Sequence, residues 1–336
     1  MNETFALPFL WSKSLLITFI SLVGCLNGKS KTYQKFSSDC MGTKFTILID
    51  DLNRSNCQSA ADAAFSKATF LNSIFSDYIS NSEISRLSNS SHEGRPMNVS
   101  NELFEIIEYG QKLSEETDGA FDLTVGAASR LWRIARFRKR FPSEENLSNA
   151  LSRIGHSHLF LDKTNKKIRI LKPGVLLDLG GIAKGFTADR MLETIQGFGI
   201  KRCLIDAGGD LVIGQAPKGE SGWKVKVGGK NHPDLPTLIL SNCAVATSGD
   251  TNQFLEIDGQ VYSHLINPRT AVGLMSRSQV TVIAGNGMTA DSLASASLVL
   301  GFNDSAKIFE AYNIAAAYFV KNDNGKDYIF KFESKS

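Results

Sequence analysis

Only one stretch of this 336-residue chain is continuously apolar, the run Ser14-Leu15-Leu16-Ile17-Thr18-Phe19-Ile20-Ser21-Leu22-Val23-Gly24. Its length of about 11 residues is short of the roughly 20 that cross a bilayer, so a polytopic membrane protein is excluded. Everything after it interleaves apolar with polar residues and must bury its apolar groups in a water-surrounded core. Composition agrees: 42% hydrophobic and 21% charged residues, with 28 glycines and 8 prolines, rule out disordered, collagenous and coiled-coil chains. A chain of about 300 residues can bury roughly three-quarters of the surface it exposes unfolded, enough for one large domain. The net charge of +3 gives no general argument for nucleic-acid binding, and no nucleic-acid partner is expected. Five cysteines without a CxxC spacing give neither a zinc site nor a disulfide scaffold.

The apolar run follows Lys13 and ends in Leu22-Val23-Gly24-Cys25. It suits the h-region of a signal peptide, and its end resembles the lipobox of bacterial lipoproteins, in which the cysteine takes a diacylglycerol and the chain is cut just before it. The organisation expected is a signal peptide over 1–24, a short polar tether over 25–35 starting at lipidated Cys25, and one domain over 36–336. Stable attachment needs the full lipid anchor, since a lone acyl chain holds weakly. On the extracytoplasmic side a disulfide among Cys40, Cys57, Cys203 and Cys243 is allowed, with no pairing favoured.

Along the remaining chain, Phe45–Ile49 reads as a buried strand and 56–76 as a helix capped by Asn56. Further helices are expected over Phe104–Leu113, Ala183–Gln196 and Thr289–Leu300. Strands are expected at Val175–Leu179, Arg202–Asp206, Leu211–Ile213, Trp223–Val227, Thr237–Leu240 and Gln279–Ile283. Tyr318–Val320 and Tyr328–Phe332 read as a closing hairpin across Asn322-Asp323-Asn324-Gly325. Without regular βαβ alternation, repeats or a long linker, the class is α+β in a single domain.

Neither dinucleotide fingerprint occurs, and there is no G-x-S-x-G or H-E-x-x-H. What remains is a set of short segments combining glycine, carboxylate and hydroxyl. Asp178-Leu179-Gly180-Gly181-Ile182-Ala183-Lys184-Gly185 could present backbone N–H groups and a helix dipole to an anion, or be a tight packing turn. Asp291 and Ser295 lie four apart on one helix face, a hard-oxygen pair suited to Mg²⁺, or else a cap and a close contact. His264 precedes a Pro268-Arg269 turn, and Thr117-Asp118-Gly119-Ala120-Phe121-Asp122 is a turn with two carboxylates.

Taken in order, these segments resemble the ApbE family of flavin transferases. The resemblance is carried by Met41-Gly42-Thr43, Tyr78 with Ser82–Leu87, Asp118–Asp122, Asp178–Gly185, Asp206–Asp210, Thr247–Asp250, His264–Thr270 and Ala290–Ser295, spread over about residues 36–320. It implies an α+β domain related to the T-fold, with mixed or antiparallel sheets flanked by helices. It also implies Mg²⁺-dependent transfer of FMN from FAD to a threonine hydroxyl of an acceptor protein, releasing AMP. By position, Asp291, Ser295 and the Gly181 carbonyl would hold the metal. Met41, Tyr78, Ala120, Phe121, Asp122, Asp178, Lys184 and Leu265 would line the FAD pocket. Asp291 would serve catalysis, with His264 accepting or orienting a proton. The partners implied are acceptors carrying an Asp-Gly-x-Thr-like sequence, membrane electron-transport subunits among them, met on the periplasmic side of a bacterial membrane, the inner membrane by family. A Mg²⁺-dependent FAD pyrophosphatase and a non-catalytic flavin-binding lipoprotein are the alternatives.

Departures from the family pattern are local: Ser295 stands where Thr is common, Asn267 where Asp is common, and Asp210 where Asn is common. The stretch from Arg130 to Arg140 holds six cations, either a solvated helix end or a docking surface for an acidic or membrane-bound acceptor.

Overall fold

The computed structural model describes residues 33–229, 232–249, 254–257, 259–275, 277–323 and 326–334. The signal-peptide and lipidation expectations, Cys25 included, fall outside these residues, as does Asp250.

Eight strands form one antiparallel sheet in which spatial order is chain order: Gln34–Cys40, Thr43–Ile49, Cys203–Ala207, Asp210–Ile213, Cys243–Gly249, Ser278–Ala284, Ala316–Asp323 and Lys326–Glu333. The sheet is a meander, and the rest of the chain is inserted between its strands. The helices are α1 (Arg54–Phe75), α2 (Glu83–Asn89), α3 (Asn101–Glu116), α4 (Gly126–Arg138), α5 (Glu144–Leu151), α6 (Ala183–Gly197), α7 (Gly287–Leu300) and α8 (Phe302–Ala311). Helices α1–α6 all lie between the second and third strands, and α7 and α8 between the sixth and seventh.

The strands alternate with period two, so each face of the sheet buries its own set. Ile205, Val212, Ala244, Ala246, Val280, Val282 and Ala317 belong to the large core shared with the helices. Leu204, Leu211, Ile213, Val245, Ile283 and Tyr318 face the other way, under Trp223 and Val225 of the hairpin Trp223–Lys226/Thr237–Leu240. Helix α7 is apolar nearly all round and lies across the strands Cys243–Gly249 and Ser278–Ala284. The alanines facing it, Ala244, Ala246 and Ala284, let its backbone come close. On its other side α6 approaches so tightly that a Cβ on Gly185 would stand 2.5 Å from the Gly287 carbonyl carbon.

The α+β class and single domain hold, and every strand ladder is antiparallel. Helix α1 starts at Arg54, because Asn53 rather than Asn56 is its cap: the Asn53 Oδ1 accepts the Asn56 N–H at 3.1 Å. Val175–Leu179 is not a strand. Leu176 alone bridges Val125, while the Leu177 N–H donates to Ser88 Oγ (3.1 Å) and the Asp178 N–H to the Leu123 carbonyl (2.8 Å). Its apolar run reflects burial of Val175, Leu177 and Leu179, which needs no strand partner. The closing hairpin forms over Ala316–Asp323 and Lys326–Glu333, its turn residues 324 and 325 lying outside the described residues. Cys40, Cys57, Cys203 and Cys243 are all free thiols. Among the described residues no helix is long and apolar enough to cross a membrane.

Candidate active site

The chemistry-bearing segments converge where α6 and α7 meet the sheet. Lys184, one residue into α6, forms an ion pair with Asp210 at the start of its strand. The other Asp210 oxygen accepts the Thr247 N–H at 3.1 Å, so one carboxylate spans two adjacent strands and the helix. Asp291, buried on α7, accepts the Gly185 N–H at 3.1 Å, the one hydrogen bond it takes among the described residues. One turn further along, Ser295 Oγ lies 3.0 Å from Ser248 Oγ. It also lies 3.0 Å from where a Cβ on Gly181 would stand, with the Phe121 ring 3.4 Å from the same point. A Cβ at Gly181 would crowd that hydroxyl and that ring, which would have to give by a few tenths of an ångström. Asp291, Ser295, Gly181, Lys184 and Phe121 are thereby brought to one place.

Charge at this place is unbalanced. Burial pushes the Asp291 carboxyl up to about 7 against the pull of Lys184, with Asp210 adding repulsion. Burial pulls Lys184 down, but Asp210, Asp291 and Asp206 together hold it above the usual lysine range. Asp206, whose Oδ1 takes the Gly209 N–H at 2.7 Å, is raised by burial. Three carboxylates therefore surround one ammonium, an environment that a further cation relieves. Among the described residues no three His, Cys, Asp or Glu side chains gather as a metal cage. The Asp291 carboxylate and the Ser295 hydroxyl, one turn apart on α7 with Gly181 against the hydroxyl, are hard-oxygen groups of the kind that suits a cation keeping several waters, as Mg²⁺ does.

A second cluster adjoins through the turn 178–181. Asp178 Oδ1 takes the Gly180 N–H at 2.7 Å, and its Oδ2 lies 3.3 Å from the Arg133 guanidinium. The same guanidinium contacts Asp77 at 2.5 Å and stands 4.1 Å from the centre of the Tyr78 ring, and Tyr78 as a whole is 69% exposed. Burial and the neighbouring Asp178 charge raise Asp77, with Arg133 opposing them. Arg133 corrects the reading of Arg130–Arg140 as one solvated or docking run: α4 turns this arginine inward. Sequence reasoning missed it: Arg130, Arg133 and Arg136 are spaced three apart on one side of the helix, and only the tertiary partners Asp77 and Asp178 single Arg133 out.

The other expected residues lie around these clusters. Met41, in the left-handed region (φ 49°) at the turn between the first two strands, accepts the Thr187 hydroxyl of α6 on its sulfur at 3.5 Å. Ala120 and Phe121 are buried in the turn after α3. Asp122 directs one oxygen inward, accepting the Thr124 N–H (2.8 Å) and hydroxyl (2.6 Å), which orders the entry to α4. His264 and Leu265 are half-buried after the strand Gln260–Ser263; the Leu265 N–H donates to Ser263 Oγ and its carbonyl accepts the Leu274 N–H at 2.8 Å. Arg269 pins this loop to the Asp118 turn, donating to the Asp118 and Thr117 carbonyls at 3.0 Å each. Asp189, missed in the sequence, caps α7 by accepting the Gly287 and Met288 N–H groups at 2.7 and 2.9 Å. No local signal marked it, because the contact joins two helices about 98 residues apart.

Residues 41–319 match the profile of the ApbE family. The chain is 26% identical over 324 residues to the FAD:protein FMN transferase of Haemophilus influenzae, covering 91% of each. It is 30% identical over 290 residues to that of Chlamydia muridarum, covering 84% of this chain and 88% of the relative. A variant of the flavin transferase ApbE from Vibrio cholerae superposes with TM-score 0.80 at 25% identity, covering 90% of this chain and 97% of that one. The ApbE protein of Thermotoga maritima gives 0.79 at 28% identity, covering 89% and 96%. With most of its length matched and the same fold, the chain belongs to the ApbE family.

Proposed function

We propose that the chain transfers the FMN part of FAD to a threonine hydroxyl on an acceptor protein and releases AMP. The observation that carries this reading is the partly buried grouping of Lys184, Asp210, Asp291, Ser295 and Gly181 where α6 meets α7. It offers hard-oxygen donors and an ammonium side by side, the equipment of phosphoryl-type transfer. The threonine oxygen attacks the phosphorus that carries riboflavin, and the bond from that phosphorus to the AMP oxygen breaks. His264 takes the threonine proton, imidazole being the side chain suited to proton transfer near neutral pH. Lys184, held by Asp210, places its positive charge near the pyrophosphate, and Phe121 and Tyr78 offer flat faces to the flavin or adenine rings. Asp291, Ser295 and the Gly181 carbonyl would hold Mg²⁺, which when bound neutralises pyrophosphate charge.

In the same reading Cys25 carries a lipid that holds the domain on the outer side of a bacterial cytoplasmic membrane, where acceptors with an Asp-Gly-x-Thr-like sequence reside. Its support is the sequence around Cys25 and the printed activity of the relatives. Incubating the chain with FAD, Mg²⁺ and such an acceptor should leave flavin fluorescence on the denatured acceptor band, lost when the threonine is changed to alanine. FMN and AMP accumulating without a labelled band would replace transfer by hydrolysis, and intact FAD would leave only binding. Membrane fractionation of Cys25→Ser should move the chain to the soluble fraction.

A further inference from the structure

The cations of α4 that do not turn inward have no role in this account. Arg130, Ile134, Phe137 and Arg138 recur at helical spacing on one exposed face, with Phe137 78% and Ile134 43% exposed. Lys139 then closes the helix in the left-handed region (φ 48°), and exposed Arg140 follows. An exposed aromatic ring followed directly by the exposed cations Arg138, Lys139 and Arg140 is poorly placed for a free surface. It suits the boundary of a bilayer, where the ring enters the acyl edge and the cations reach the headgroups.

We propose that this face of α4 docks on an anionic phospholipid surface. The proposal rests on the reading of Cys25 as the lipid attachment point. Residues 26–33 separate Cys25 from the first strand, and their full extension of about 30 Å keeps the domain within reach of the bilayer. Charge complementarity selects anionic lipid, each cation near such a surface contributing about fivefold in affinity. Beside this face, one turn before Phe137, Arg133 reaches to Asp77, Asp178 and the exposed Tyr78. Docking would therefore fix the Tyr78 side of the site relative to the membrane and to a membrane-embedded acceptor.

The test uses the full, lipid-bearing chain reconstituted with brominated phosphatidylcholine vesicles, with and without phosphatidylglycerol. Phe137→Trp supplies the probe; its high exposure leaves packing undisturbed, and the native Trp132 and Trp223 are buried and report the background. Quenching of the new tryptophan, at least about twofold beyond the parent and only with phosphatidylglycerol, is expected. Adding Arg138→Glu and Arg140→Glu should lower the docking affinity at least about 25-fold while the chain still floats with the vesicles. A floating chain with an unquenched probe overturns docking, keeps the anchor, and leaves the face to an acidic protein or a second copy. Equal quenching on neutral vesicles also overturns it. Flotation and quenching on anionic vesicles alone support docking and remove the anchor, whereas flotation on neither overturns both.

Discussion

Gly185→Ala sets two physical effects of opposite sign against each other. Gly185 lies inside α6, where alanine is favoured over glycine by about 1 kcal/mol. A Cβ there would stand well inside contact of the Gly287 carbonyl oxygen, 2.5 Å from its carbon and 2.9 Å from the Asp291 Cβ. Two of those atoms are backbone at the start of α7, so relief requires the helices to separate rather than a side chain to turn. Overpacking costs about 1–3 kcal/mol, and more where backbone must move. The clash should therefore exceed the propensity gain, giving a net loss of about 2 kcal/mol. In a domain of this size that is a fall in Tm of about 3 °C. The matched control is Gly197→Ala at the end of the same helix, where a Cβ meets nothing within 4 Å. It should be neutral or slightly stabilising in the same urea and thermal unfolding experiments. Gly185→Ala as stable as the parent would refute the claim that this glycine sets the α6–α7 approach, and with it the placement of Asp291 beside the Gly185 N–H.

Three other outcomes follow. The folded chain holds a proton on Asp291 up to about pH 7, above the ordinary 3.8, so its contribution to stability is full below about pH 4 and is lost as pH rises through 7. Metal-free Asp291→Asn should match the parent near pH 4 and exceed it in urea midpoint at pH 8, where added Mg²⁺ should stabilise the parent but not the variant. Asp189→Ala leaves the Gly287 and Met288 N–H groups without their acceptor and should cost about 1–3 kcal/mol in the same unfolding experiment. Arg269→Lys cannot span the Thr117 and Asp118 carbonyls together, so the Leu274 amide should exchange about tenfold faster and the KM for FAD should rise.

The features legible in the sequence were those with local causes. Asp291 and Ser295 share a helix face because they are four apart, and the glycines at 180, 181 and 185 announce a close backbone approach. What Gly185 approaches, the Gly287 carbonyl, was hidden in the fold, as was the Lys184–Asp210 pair that the Cys203–Ala207/Asp210–Ile213 hairpin brings to α6. Val175–Leu179 misread as a strand because burial and strand pairing select the same apolar residues. The cap of α1 shifted from Asn56 to Asn53 because both asparagines precede the apolar period, and only the geometry assigns donor and acceptor. Arg133 was concealed by its neighbours: a run of cations reads as one solvated surface, yet Asp77 and Asp178, brought up from distant parts of the chain, engage this one, while Phe137 one turn on stays in solvent.

The central claim is flavin transfer to protein, and mass spectrometry of an acceptor co-expressed with the chain tests it most directly. A peptide whose threonine, in an Asp-Gly-x-Thr-like sequence, carries FMN through a phosphoester is expected, and loss of that adduct with Asp291→Ala. An unmodified acceptor, with the chain folded and FAD present, would contradict it.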